Sequence, residues 1–272
     1  MTERLPEDLA RALSVARPRL GAFSAVRYAA EVDSTNDIAI ELAQAGASHG
    51  TAVLADAQRA GRGRRGRVWF SPPGAGVYLS AVVRPPAAMA APLSLVTLAA
   101  GVATARAVAA ATGLTSELKW PNDLVVGRPW RKLGGILCEA VGVGPSVDAI
   151  VLGVGLNLQH TAYPLDVAAA TSIEDELGRA VDRPAVVVEL LVAMREAIDE
   201  LWAGGASSIR DAWRRAGRSG LGGAPVRWHD PHGEHRGLAR DIDDDGALLV
   251  DSDGAVLRLV AGEVTWERVA RD

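Results

Sequence analysis

Apolar residues recur along the chain with two different periods, and the changes of period predict its elements. Residues 26–32 read as a strand. Ser34-Thr35-Asn36-Asp37 then supplies a helix cap with an acid three residues after the serine, opening a helix that runs to about Gly46. Residues 51–57 and 76–84 are further apolar strands, and residues 92–112 a helix apolar enough to be buried. Residues 118–126 and 131–141 form a hairpin-like pair, residues 148–158 another strand, and residues 184–202 and 207–216 two helices. Between the second and third strands, residues 58–67 hold arginine and glycine with almost no apolar anchor, so a mobile loop is expected there.

Gly220, Gly222 and Gly223 mark a linker. Beyond it come short alternating strands at 226–229, 237–242, 247–251, 255–260 and 263–267, with Asp245-Gly246 and Asp253-Gly254 as tight turns. The expected organisation is a domain over residues 1–220 and a small β-barrel over 221–272. So small a unit buries too little apolar surface to stand well alone, so it is expected to pack on the larger one. The class is α+β: a mixed sheet with flanking helices and a C-terminal barrel.

Composition narrows the function. The chain has 272 residues, 49% of them hydrophobic, and a net charge of -4, which gives no general attraction to nucleic acid or to an anionic membrane. The first 19 residues mix acids and arginines and lack the pattern of a signal peptide, and the single Cys138 has no internal disulfide partner. A cytoplasmic location is the expectation. The uncharged run over 85–105 is long enough to span a bilayer, but its three prolines and many alanines favour a buried helix starting near Pro92.

Of the 29 basic residues only Lys119 and Lys132 are lysines. Where lysine persists in so arginine-biased a chain, a compact ammonium is called for rather than a guanidinium fork, unless sampling alone explains it. The only asparagines, Asn36, Asn122 and Asn157, also fall in chemically suggestive stretches. The strongest of these stretches is Gly61-Arg62-Gly63-Arg64-Arg65-Gly66-Arg67, followed by Trp69. Clustered guanidiniums repel one another, whereas an oligophosphate or adenylate would satisfy them through charge-assisted hydrogen bonds. The Gly-Lys-Ser/Thr ending of a Walker loop is absent. A solvated basic loop or an RNA-binding patch is the competing reading, weakened by the single cluster and the acidic whole. In Lys119-Trp120-Pro121-Asn122-Asp123-Leu124 the proline forces a turn that sets polar side chains at the edge of an apolar sheet; a plain solvated turn is the alternative. In Arg131-Lys132-Leu133-Gly134-Gly135-Ile136 a lysine stands at the mouth of a strand whose paired glycines suggest close approach of a ligand.

These segments, with Ser34-Thr35-Asn36 before them and Gly155-Leu156-Asn157 after, resemble in order and spacing the motifs of the biotin protein ligase family. The resemblance implies a biotin/lipoate ligase-like catalytic domain, an SH3-like C-terminal barrel, and an enzyme that makes biotinyl-5'-AMP from biotin and ATP with Mg2+. It implies that Ser34, Thr35, Asn36, Gln58, Gly61, Arg62, Gly134 and Lys132 bind biotin. Arg62, Gly63, Arg64, Arg65, Gly66, Arg67, Trp69, Asn122, Lys132 and Asn157 would bind ATP and the adenylate, with magnesium held through the phosphates. Lys132, Arg64, Lys119 and Asp123 are the catalytic candidates. The implied partner is the biotin carboxyl carrier domain of acyl-CoA carboxylases and of pyruvate carboxylase. The chain is expected to be a monomer or a weak homodimer. The first strand comes too early to leave room for the winged-helix domain of repressor-type members, so operator binding is not expected.

The chemistry is coherent with that resemblance. Bringing a carboxylate to the α-phosphate pushes two anions together, and Lys119, Lys132 and the loop arginines can screen the approach. In the transfer step a lysine amine with a pKa near 10.4 is only about 0.04% neutral at pH 7, so a base or a desolvated channel is required, and Asp123 is the candidate. A lipoate or octanoate transferase and a non-catalytic biotin sensor are the other readings. Asp241-x-Asp243-x-Asp245-Gly246 imitates a calcium loop but carries Ser252 at its twelfth position, and His232 with His235 lacks further ligands for zinc. Cys138 reads as a core residue rather than a nucleophile.

Overall fold

The computed structural model describes residues 3–86, 92–142, 147–160, 169–231, 233–260 and 264–267. Strands β1 (Val26–Val32) and β2 (Ala52–Gln58) pair in parallel, joined by helix α2 (Thr35–Gln44). The remaining partners are antiparallel: β3 (Gly76–Val83), β4 (Glu117–Lys119), β5 (Asp123–Val126), β6 (Arg131–Val141) and β7 (Ala149–Asn157). The order β1-β2-β3-β7-β6-β5-β4 makes one mixed sheet, as expected.

Both faces of this sheet are covered, which explains why β3 is buried at every position. Ala39 and Ala43 of α2 cover one face with Val53, Val82 and Ala149. The opposite face packs Val77, Leu79, Ala81 and Val83 against α3 (Leu93–Thr112) and α5 (Arg183–Trp202). Helix α3 is apolar and long enough by composition to cross a bilayer, yet its Val96, Leu98, Ala99, Ala103 and Val108 lie inside this core. Alternation along β3 therefore turns Ser80 toward α2, fully buried, where its hydroxyl needs partners.

Two elements were not anticipated. Helix α1 (Glu7–Leu20) docks on α5 through Leu9, Leu13, Ala16 and Leu20, a helical stripe that interleaved charges obscure in the sequence. Arg19 adds a two-pronged bond to Glu189 at 2.7 and 2.8 Å. The short α4 (Ile173–Leu177) opens on Ser172, whose hydroxyl accepts from Asp175 N. The expected hairpin over 118–126 and 131–141 is instead three strands, with the Trp120-Pro121-Asn122 turn separating β4 from β5.

After α6 (Ala206–Gly217) come β8 (Ala224–Asp230), β9 (Gly233–Ile242), β10 (Leu248–Ser252), β11 (Ala255–Leu259) and β12 (Val264–Trp266), a sheet ordered β11-β10-β9-β8-β12. The β9–β10 turn is held by main-chain amides of Asp245 and Ala247 on Asp243 Oδ1, and Arg258 pairs with Asp243 and Asp245, so the acidic run is a turn. His232 lies outside the described residues, and His235 bonds Asp230 at 2.9 Å and stacks on Trp228. Trp120 Nε1 donates to Gly246 O at 3.0 Å, and Arg214 Nη2 donates to Ile242 O at 2.8 Å, tying this sheet to the larger unit.

Gly246 sits at that contact with φ +83°, and an added Cβ would lie 2.8 Å from Leu98 Cδ1. Gly246→Ala is expected to cost about 2 kcal/mol through strain and overpacking. A denaturant midpoint equal to wild type would show that the turn can yield.

Candidate functional site

A cleft of about 990 Å³ opens over the N-terminal part of β6 and the C-terminal half of β7, and its lining gathers the site residues singled out from the sequence except Gly61, Gly66 and Gly134. One wall is the start of α2. Ser34 occupies the N-cap position but makes no side-chain capping bond. The first helical amide is instead satisfied by a different strand: Thr35 N donates to Gln58 Oε1 at 2.9 Å, and Thr35 Oγ1 lies 3.1 Å from the same atom. Gln58 Nε2 in turn donates to Ser71 Oγ at 2.8 Å.

The arginine loop, expected to be mobile, is a tight hairpin. Gly63 N donates to Arg67 O at 2.7 Å and Trp69 N to Gly61 O at 2.8 Å, while Arg62 and Val68 form an antiparallel bridge. Arg65 takes a left-handed φ of 59° beside Gly66 at 75°, which closes the turn. The feature invisible in the sequence is that acids from elsewhere meet the cluster. Arg62 Nη2 is 2.5 Å from Glu139 Oε2 and 3.0 Å from Asp37 Oδ1, which relieves part of the repulsion.

Arg64 is treated differently. It is half-buried, and loss of water lowers its pKa from the usual guanidinium value, against the raising effect of Asp123. Its hydrogen bond goes to a neutral acceptor, Asn122 Oδ1 at 3.4 Å. Asn122 is held by its own Nδ2, which donates to Ile136 O at 2.7 Å. A partly desolvated cation with a neutral hydrogen-bond acceptor keeps most of its capacity to attract an anion. Lys132 Nζ stands 2.6 Å from Asp123 Oδ1 and 5.4 Å from the centroid of Trp69. Asp123 is thus the counter-ion of Lys132 in this structure.

Trp69 forms the floor. Its indole lies so close to Gly155 that an added Cβ would collide with it, and a Cβ on Gly135 would come within 3.3 Å. A Cβ on Gly134 would lie 3.0 Å from Gly155 O. The glycines therefore do have a packing role: they admit a tryptophan and a neighbouring strand. Asn157 Nδ2 donates to Thr171 O at 2.9 Å, and Lys132 exchanges main-chain bonds with Ala169 and Thr171, so both residues pin the chain bordering the cleft. Lys119 lines the opposite end, with Nζ 5.4 Å from the ring of Trp266. Val264 and Thr265 bring the C-terminal sheet into the lining.

Several participants escaped the sequence reading. Glu139 follows the glycine strand without a motif of its own. Ser80, the one aliphatic hydroxyl within β3's apolar run, was a usable signal. Cys138 is partly buried and packs against the core, and loss of water pushes its thiol up to about 12, which disfavours a nucleophile. Among the described residues no group of three or more His, Cys, Asp or Glu is placed to hold a metal.

The family model described as the biotin/lipoate A/B protein ligase family matches residues 28–157, and that of the biotin protein ligase C terminal domain matches residues 221–265. The chain is 35% identical to the biotin–(acetyl-CoA-carboxylase) ligase of Paracoccus denitrificans, over 86% of this chain and 98% of the relative. It is 32% identical to a bifunctional ligase/repressor of Bacillus spizizenii, over 87% of this chain and 72% of the relative. A biotin protein ligase from Aquifex aeolicus, solved in complex with biotin and ATP, superposes with a TM-score of 0.76 at 26% identity, covering 90% of this chain and 99% of that one.

Gly155→Ala is expected to expel Trp69 and loosen the arginine hairpin. Trypsin should then cut after the loop arginines at least several-fold faster than in wild type, and an unchanged rate would mean that the floor does not hold the loop.

Proposed function

The chain belongs to the biotin protein ligase family, and from that premise we propose that it joins biotin to ATP as biotinyl-5'-AMP and passes the biotinyl group to a lysine of a carboxyl carrier domain. The observation that carries the reading is the division of one cleft into two chemistries. A hydroxyl and amide wall at Ser34, Thr35, Asn36 and Gln58 suits a small polar ring. Across the floor, Arg64, Lys132 and Lys119 suit a carboxylate and phosphates.

In the first step a carboxylate oxygen of biotin attacks the α-phosphorus, forming an acyl–phosphate bond as the bond to pyrophosphate breaks. Arg64 and Lys132 offset the approach of two anions. Lys132 can exchange Asp123 for the incoming carboxylate without losing a negative partner. Arg62, Gly63, Arg65 and Arg67 line the proposed acid and phosphate positions, while Gly61, Gly66 and Gly134 lie outside the lining and shape the hairpin and strand behind it. Trp69 walls the cleft, and Asn122 and Asn157 hold neighbouring backbone in place. Magnesium arrives with ATP, bound to its phosphates, as part of the substrate.

In the second step the carrier amine attacks the acyl carbon, AMP departs and the amine loses a proton. Asp123, released from Lys132 once that lysine holds the adenylate, is the group proposed to orient the amine and take the proton. Carrier domains of acyl-CoA carboxylases and of pyruvate carboxylase are the proposed acceptors.

The primary test is ATP–pyrophosphate exchange driven by biotin, lipoate or octanoate. Exchange with biotin alone supports the reading, exchange with lipoate would move it to the sister activity, and none with any acid would leave a binding protein. Asp123→Asn is expected to slow transfer on the order of 100-fold while adenylate formation changes little, and equal losses would remove the proposed role. Arg64→Ala is expected to release adenylate that labels bulk protein indiscriminately; unchanged acceptor specificity would show that Arg64 does not retain it.

A further inference from the structure

A buried hydrogen-bond array runs behind the polar wall of the cleft, and one carboxylate outside the lining sets its direction. Asn36 Nδ2 donates to Glu139 Oε2 at 2.7 Å, and Ser80 Oγ lies 2.6 Å from Asn36 Oδ1 and 2.7 Å from Thr35 Oγ1. Ser80 is fully buried, Asn36 and Thr35 nearly so.

Counting protons leaves little freedom. Asn36 cannot turn its carbonyl oxygen toward the Glu139 carboxylate without setting two acceptors against each other, so its amide nitrogen faces Glu139. Asn36 Oδ1 must then accept the single proton of Ser80. Ser80 Oγ has none left for Thr35 and becomes an acceptor. Thr35 therefore sends its own proton inward, to Ser80 Oγ or to Gln58 Oε1, and turns lone pairs toward the cleft. The same Glu139 oxygen also holds Arg62 Nη2 at 2.5 Å, so one group registers both the helix wall and the basic loop.

We propose that Glu139 is a positioning residue for the ring-binding half of the cleft, fixing Thr35 as an acceptor for a ring N–H and anchoring Arg62 beside it. The proposal rests on the biotin-ligase reading, since the cyclic urea of biotin presents ring N–H donors. Glutamine at 139 would keep the size but could offer either an oxygen or an amide to Asn36, leaving only the longer bond from Asn36 Nδ2 to Leu137 O, at 3.4 Å, to hold the array's direction.

The experiment compares Glu139→Gln and Ser80→Ala with wild type in ATP–pyrophosphate exchange, varying biotin and ATP separately, with hydrogen exchange of ligand-free protein alongside. The expected result is a KM for biotin raised about tenfold or more in both variants, a KM for ATP within about twofold of wild type, and faster amide exchange over residues 61–71 in Glu139→Gln only. A biotin KM within twofold of wild type in either folded variant, or a parallel rise in the KM for ATP, would overturn it. Should Glu139→Gln fail to fold, Ser80→Ala tests the same direction of donors. Wild-type protein without biotin-driven exchange would refute the parent reading, and the amide exchange would still decide whether Glu139 anchors the loop.

Discussion

The arrangement of the cleft depends on one electrostatic constraint: several cations are gathered in a small volume and must be held there against their mutual repulsion. At an effective dielectric constant near 20, two like charges 4 Å apart repel by roughly 4 kcal/mol, so a loop with four arginines cannot fold tightly unaided. Three solutions sit side by side here. Arg62 is shared between Glu139 and Asp37, Lys132 is paired with Asp123, and Arg64 is partly withdrawn from water with a neutral amide for company. The first ties the hairpin to α2 and β6, the second neutralises a lysine with a carboxylate, and the third leaves a guanidinium's charge without a neutralising ion pair at close range among the described residues.

The neutral half of the site answers a different need. A helix N-terminus and a serine inside a buried strand both carry groups that must be satisfied away from water. Gln58 caps α2 from β2, and Ser80 bridges Asn36 and Thr35 from β3, so the wall of the cleft is held from behind by the sheet. That leaves the Ser34 hydroxyl uncommitted to its own helix. The glycines of β6 and β7 complete the arrangement by letting Trp69 lie flat against the sheet between the two halves.

The C-terminal sheet is more than an appendage to this cleft. Its turn at Gly246 receives the indole of Trp120 from the very turn that carries Asn122 and Asp123, and Trp266 lies under Lys119 while its own Nε1 donates to Gly220 O. With Val264 and Thr265 in the lining, disturbance of this sheet reaches the Lys119 end of the cleft directly.

Local pattern sufficed wherever the physics is local. The apolar runs of β3 and β7, the apolar helix α3, and the Asp-Gly turns were all legible, because a strand covered on both faces, a buried helix and a tight turn each impose their own composition. So was the cationic character of the cleft, since its lining draws on the arginine-glycine cluster and the two lone lysines. Helix α1 was hidden because its stripe of Leu9, Leu13, Ala16 and Leu20 is diluted by charge and becomes apolar only against α5. The partners were hidden for a deeper reason. That Glu139 would meet Arg62, that Asp123 would neutralise Lys132, and that Gln58 rather than Ser34 would cap α2 are matters of strand register and of the depth to which Trp69 sinks between glycines. Residue identity decides which charges exist, but only the packed sheet sets the few ångströms between them, and over those few ångströms the interactions are decided.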